Sequence, residues 1–185
     1  MAALKGERDL FIDGAHSDPG CALALFRRGR LARVEFCVYR EALTLTRKWP
    51  LSSRVFVERP TYQGARSNKS RTSDLINLTW ASAMLAGVFA GASGCAVHEL
   101  PANDWKGSET KPINHRRLWQ VLTPVEREIL GGDATWAMIE AACRKGALKR
   151  WGILGAACYP KSFKLHNILD AVAMGAITYG RLSKI

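Results

Sequence analysis

Three apolar runs crowd the first forty residues, and the segments between them are too short for any crossover. They are "RDLFID" (8–13), "CALALFR" (21–27) and "LARVEFCVY" (31–39), the last partly alternating through Leu31, Val34, Phe36 and Val38. Parallel neighbours need a dozen or more connecting residues, so these strands are expected to form an antiparallel meander. "RRGR" at 27–30 supplies a turn in which Gly29 can take positive φ. A short helix over 40–48 is stopped by Pro50. "RVFVERP" (54–60) is a compact fourth strand closed by Pro60, and the polar, basic loop "TYQGARSNKSR" follows it.

Residues 75–97 carry no charge and are long enough to span a bilayer. Asn77, Thr79, Ser82 and Ser93 interrupt them, so they read as a buried helix over about 75–90, a Gly-Ser turn and a fifth strand, "CAVHEL" (95–100). Thr72 or Ser73 caps this helix, with Asp74 in the dipole-favoured first turn. Leu75, Leu78, Ala81, Leu85, Val88 and Phe89 form its apolar stripe. Small residues at Ala81, Ala83, Gly87 and Gly91 let another backbone come close, either in the core or from a second copy. Beyond Pro101 the chain is polar and irregular, and a helix is expected over 114–122. "TPVE" at 123–126 starts another, with Thr123 as cap, Pro124 at the first helical position and Glu126 completing a capping box. Helices over 134–150 and 165–182 complete the chain. Without repeats or a low-complexity linker, residues 1–185 read as one α/β domain with a mixed sheet.

Charge narrows the partner. There are 27 Lys+Arg against 16 Asp+Glu, a net charge of +11, which points to a polyanion: nucleic acid first, an anionic membrane surface second. Five cysteines, none spaced as C-x-x-C, argue against a disulfide framework or zinc ribbon and suit free thiols in a reducing cytoplasm. "MAALKGERDL" lacks the apolar core of a signal peptide.

Two strands end in carboxylates, Asp13 and Glu58. Ligands gather beyond the carboxyl ends of strands in open sheets, so parallel neighbours at 8–13 and 54–59 would aim both acids into one crevice. Asp170 is a third acid, set among apolar residues of the last helix, with His166 one turn earlier and Asn167 beside it. Three carboxylates with a His or Asn suit the hard cations Mg²⁺ or Mn²⁺. Two such ions about 4 Å apart would activate water and stabilise the leaving oxygen in phosphodiester cleavage. Each acid also has a plainer reading. Asp13 could shape a turn, Glu58 could pair with Arg54 or Arg59, and Asp170 could pair with a buried Arg.

The joint pattern resembles the RuvC-type Holliday junction resolvases of the RNase H-like nuclease superfamily. The matching segments are "FIDGAHSDPGCALALF", "VFVERP", "NKSRTSDLINLTWASAMLAGVFAG", "VHELPANDWKGSETKP" and "NILDAVAMGAI", spanning about residues 9 to 180. Residues near 131–160 have no counterpart and look like a helical insertion, and the looser spacing suggests a phage or mobile-element member. The resemblance implies an RNase H-like five-stranded mixed sheet flanked by helices and a homodimer. It also implies dependence on Mg²⁺ or Mn²⁺ and paired nicks in four-way DNA junctions. It maps the first-strand Asp on Asp13, the fourth-strand Glu on Glu58 and the final helical Asp on Asp170. The family usually has an acid or a His three positions before that last Asp; here Asn167 stands there, with His166 one step earlier. His166 is favoured as the fourth group, because a four-residue step keeps one helical face. A "DPG" follows the first strand in the family, so Asp18 is a rival to Asp13. The apolar strand ends at Asp13, however, and Asp18 stands too close to the second strand.

DNA contacts are expected from two segments beyond the strand ends, although any basic cluster can also be a solvated face. The loop after Glu58 offers Tyr62, Arg66, Lys69 and Arg71, and the segment after the fifth strand offers Trp105, Lys106, Lys111, Arg116 and Arg117. Three activities fit this reading: a junction endonuclease, a non-catalytic binder of structured nucleic acid with the same fold, or a nuclease for flaps or RNA–DNA hybrids.

Overall fold

The computed structural model describes residues 8–14, 20–49, 51–59, 72–105, 110–150, 159–160 and 162–183. Strands β1 (Arg8–Asp13), β2 (Cys21–Arg27) and β3 (Arg30–Cys37) form the antiparallel meander. Its β2–β3 turn places both central residues at positive φ, Arg28 at 53° and Gly29 at 74°, the turn whose twist matches that of paired strands. A single helical turn, Tyr39–Glu41, leads into α1 (Ala42–Thr46) and then β4 (Arg54–Arg59). Next come α2 (Thr72–Ser93), β5 (Val97–Pro101) and the short α3 (Ala102–Trp105). Helices α4 (Lys111–Val121), α5 (Pro124–Ile129), α6 (Gly132–Arg150) and α7 (Leu165–Thr178) complete the described chain.

The sheet order is β3-β2-β1-β4-β5, with β4 parallel to both β1 and β5. This is the five-stranded mixed α/β sheet flanked by helices expected from the sequence. Local details differ. Helix α2 runs on to Ser93, and Gly94 (φ 65°) turns the chain so that the Cys95 N–H bonds the Ala90 carbonyl, which delays β5 to Val97. Residues 102–105 wind into one helical turn where an irregular path was expected. Helix α4 starts at Lys111 rather than 114, because extended Thr110 precedes it and proline fits the first turn.

Side chains alternate across the sheet and separate two cores. On one face Phe11, Ala24, Phe26 and Phe56 meet Leu169, Val172, Ala173 and Ala176 of α7. Phe11 stacks on Phe56 with ring centroids 4.7 Å apart. A Cβ added at Gly175 would lie 2.2 Å from the Phe26 ring, so only glycine lets α7 sit this low on β2. Ile139 of α6 joins this same core, with Trp136 and Cys143 packed against it, so α6, within the segment read as an insertion, is packed into the core. On the other face Leu10, Ile12, Leu23, Val55 and Val57 meet Ala81, Leu85, Ala86 and Phe89 of α2. Ala81 therefore points inward, while Ala83, Gly87 and Gly91 stay exposed on the outer side. The four small residues do not share one face.

Two buried acids tie the helices to the sheet. Asp9, wholly buried on β1, accepts bonds from Arg54 Nε (3.1 Å) and Nη2 (2.6 Å) and from the Tyr179 hydroxyl just past α7. Glu126, 2% exposed, forms the capping box with Thr123 that the sequence announced. It also accepts from the Leu31 N–H (2.8 Å) and from both Arg181 terminal nitrogens (2.6 Å each). Burial pushes the Glu126 carboxyl up, but Arg181 and the Thr123 and Leu31 donors reverse this and hold it at about 2. Glu126→Gln should destabilise the fold by roughly 3–5 kcal/mol, since the mostly buried Arg181 guanidinium loses its counter-charge. The folded-state pKa is depressed, so the wild-type advantage should be complete above pH 4.5 and shrink as pH falls toward 2. Urea denaturation of both proteins across that range measures it.

Candidate active site

Strands β1 and β4 pair in parallel with Ile12 opposite Val57, so the next residues, Asp13 and Glu58, end adjacent strands side by side. Both alternate onto the α7 face, in phase with Phe11 and Phe56. Helix α7 runs antiparallel to β1, because Tyr179 at its far end meets Asp9 near the start of β1. From Asp9 to Asp13 the strand rises about 13 Å, and from Tyr179 back to Asp170 a helix rises about 13.5 Å. Asp170 therefore lies toward the strand-end side of α7, nine residues back along the chain from the Asp9 clasp. All three carboxylates are buried, at 5%, 6% and 4% exposure for Asp13, Glu58 and Asp170. Nearby, Arg54 spans Asp9, and Arg59 meets Glu99 at 3.2 Å.

Helix α4 supplies what the sequence reading missed. Its Lys111 Nζ lies 2.5 Å from Asp170 Oδ2, and its His115 Nε2 lies 2.8 Å from Asp170 Oδ1. The Lys111 ammonium also reaches Asn167 Oδ1 at 3.4 Å. On its other side the His115 ring meets the Tyr159 hydroxyl at 2.9 Å from Nδ1. The partner of Asp170 is thus a Lys–His pair rather than the buried Arg of the plainer reading. The clue was the i,i+4 spacing in "KPINH", hidden because Lys111 was placed in a loop before the helix.

His166 lies on α7 one turn before Asp170, with its ring stacked on Tyr159 at 5.7 Å and its buried Nδ1 without a hydrogen-bond partner. Burial, then the Lys111 charge, hold its imidazole down at about 4, so the ring keeps a free lone pair at neutral pH. The carboxylate oxygens of Asp13, Glu58 and Asp170 are of the kind a hard divalent cation takes. Among the described residues, however, no group of three or more His, Cys, Asp or Glu is arranged so that it could hold a metal ion.

The expected DNA-binding residues divide. Tyr62, Arg66, Lys69, Arg71 and Lys106 lie outside the described residues, as does Asp18. Trp105 is 5% exposed and packs in the α7-side core rather than offering its ring to a base. Lys111 sits at the carboxylates. Arg116 is exposed, whereas Arg117 turns to the Ser183 carbonyl (3.0 Å), beyond the opposite end of α7 from Asp170.

No family model and no curated protein matches this sequence. Among solved structures the chain is similar to Thermus thermophilus RuvC in complex with Holliday junction substrate. Identity is 18%, coverage is 95% of each chain and the TM-score is 0.42. A second Thermus thermophilus RuvC structure is 14% identical, with 96% of this chain and 99% of that one covered and a TM-score of 0.39.

Gly14 follows Asp13 and faces α2, where an added Cβ would lie 2.0 Å from Ser82 Oγ and 3.3 Å from Leu78 Cδ1. The Ser82 hydroxyl is held in place by donating to the Leu78 carbonyl at 2.8 Å. Gly14→Ala should therefore cost about 1–3 kcal/mol by overpacking. Thermal unfolding should show part of that loss recovered when Ser82→Ala is added, since the closest clash is with the hydroxyl.

Proposed function

We propose that this chain is a metal-dependent nuclease for branched DNA, cutting four-way junctions as a homodimer. The reading is supported by Asp13 and Glu58, which stand side by side on parallel strands on the sheet face covered by the helix that carries Asp170. Asp13, Glu58 and Asp170 would hold Mg²⁺, with Mn²⁺ as substitute, and His166 or Asn167 would complete the set. Two such ions, when bound, supply an activated water and charge stabilisation at the leaving oxygen. The protein's own groups orient and screen. Buried carboxylates are locked by strand pairing, and the neutral His166 ring can accept a proton or steer water. Lys111, 38% exposed, can turn from Asp170 toward a phosphate. The net charge of +11 favours a polyanionic substrate, with affinity that falls steeply in salt.

A second reading, a non-catalytic binder with this fold, is favoured by one observation. The Lys111 ammonium pairs with Asp170 at 2.5 Å and so neutralises a carboxylate that the nuclease would need for its ion. Cleavage of synthetic four-way, three-way, flap and hybrid substrates with Mg²⁺ or Mn²⁺ separates the two. For the nuclease, Asp13→Asn, Glu58→Gln and Asp170→Asn should each reduce cutting by about a thousandfold or more while junction binding persists. Binding without cleavage by the wild type in either metal would favour the second reading.

The dimer is supported by the outer side of α2. Ile76, Trp80 and Met84 are 62%, 50% and 45% exposed there, in line with exposed Gly87 and Gly91. Two copies could pack closely along that side, and a two-fold axis suits opposed cuts in a junction. Sedimentation at micromolar concentration should give a species about twice 20.4 kDa, and Trp80→Glu should shift it to the monomer.

A further inference from the structure

Three arginines stand in register across the sheet at the end remote from the candidate site. Arg8 opens β1 opposite Arg27 at the end of β2, and Arg27 stands opposite Arg30 at the start of β3. Register partners project from the same side of a sheet, so the three side chains leave one face together. Arg28 adds a fourth charge at the tip of the turn, and Arg27, Arg28 and Arg30 are all exposed. Like charges directly opposite each other on adjacent strands destabilise a sheet. Among the described residues, no carboxylate lies within ion-pair distance of Arg8, Arg27 or Arg28, and Glu126, 3.9 Å from Arg30, is already spanned by Arg181. Arg28 also stands at φ 53°, in a turn position that Asn, Asp or Gly takes at lower cost. The chain thus keeps these charges against both pairing and backbone preference.

We propose that this arginine row is a docking surface for the phosphate backbone of duplex DNA, separate from the strand-end acids. It rests on the DNA substrate that both readings of the site share, not on cleavage. The turn that carries the row is held from behind. The Gly29 carbonyl accepts from Arg181 Nη1 at 3.1 Å, and the Leu31 N–H donates to Glu126 at 2.8 Å. A Cβ at Gly29 would lie 3.2 Å from the Tyr179 ring, so the turn rests directly on that side chain. A surface fixed in this way loses little freedom when it binds. Guanidinium groups stay charged and grip phosphate oxygens as a fork. Three strands set Arg8 and Arg30 about 10 Å apart, close to the rise of three base pairs along a duplex. From Arg8 to Asp13 the strand runs five residues, about 17 Å, the rise of about five base pairs. A duplex arm lying alongside the sheet from the acids therefore reaches the row after about five base pairs.

The test is binding of the full chain to a four-way junction and to a linear duplex across a range of salt, without divalent metal so that nothing is cut. The variants are Arg27→Gln alone, Arg8→Gln with Arg27→Gln and Arg30→Gln, and the same three positions changed to Lys. Arg27→Gln should weaken binding to both DNAs by about threefold or more, and the glutamine triple should flatten the log–log salt dependence by about two to three units. The lysine triple keeps the charges and should recover most of the affinity. The glutamine variants should melt at the wild-type temperature or up to about 3 °C above it, because the like-charge row is relieved. A row kept for structural reasons would lower it. Wild-type affinity and salt slope in the glutamine triple or, should it not fold, in Arg27→Gln would overturn the docking surface and leave the nuclease reading to its cleavage test. Binding to phosphatidylserine vesicles that the glutamine triple loses, with DNA binding unchanged, would overturn it in favour of a membrane surface. A wild type that binds neither DNA would overturn the docking surface and both readings of the site.

Discussion

The candidate site depends on the clasp at the opposite end of the sheet. Asp9 is wholly buried, and it takes the Arg54 guanidinium from the neighbouring strand and the Tyr179 hydroxyl from the end of α7. A buried ion pair adds little net stability, because desolvation offsets the attraction. It is demanding about geometry, however, since any slippage leaves a buried charge unsatisfied. This clasp sets how far α7 can slide along β1. Asp9 and Asp13 stand four residues apart on a strand, and Asp170 lies nine residues back along the chain from Tyr179, toward the strand-end side of α7. Gly175, pressed on the Phe26 ring, keeps the helix low enough for its side chains to reach the strand ends. The place of Asp170 is thus decided by contacts more than two helical turns away.

The same division recurs around the C-terminal helices. Glu126 caps its own helix and simultaneously binds the β3 backbone and Arg181, so one carboxylate joins α5, the sheet and the segment after α7. At the other end of α7 the His115 and Lys111 side chains receive Asp170. Helix α4 is therefore held at both ends, near the strand-end acids by Lys111 and His115 and beyond them by Arg181, which donates to the Val121 carbonyl. A site framed by such pairs can keep acids close together without letting water between them and the core.

Helix α2 works under a different constraint. It is apolar on both sides, which is why its length and composition alone satisfy the requirement for a membrane span. One side, through Leu85 and Phe89, completes the second core. The other exposes Ile76, Trp80 and Met84 beside glycines with open space above them. Composition cannot divide these two roles, because an uncharged helix has the same residues whether it faces a sheet, a second copy or lipid.

The five strands, the antiparallel pairing of the first three and the carboxylates near the ends of β1 and β4 were readable from the sequence. Short connections leave only antiparallel neighbours, and an apolar run stopping at a charge marks where burial stops. The acid on the last helix was readable too, since a lone carboxylate among Ile168, Leu169, Ala171 and Val172 needs a polar destination. What only the tertiary structure decided is who meets that acid. Lys111 and His115 lie 59 and 55 residues away in the chain. No local pattern records such a pairing, because it follows from how α4 packs on α7. Likewise Trp105, polar-flanked and free to be a surface aromatic in sequence, is drawn inward by the single helical turn that follows β5. Local chemistry selects the elements; the distances between their charged groups come from packing.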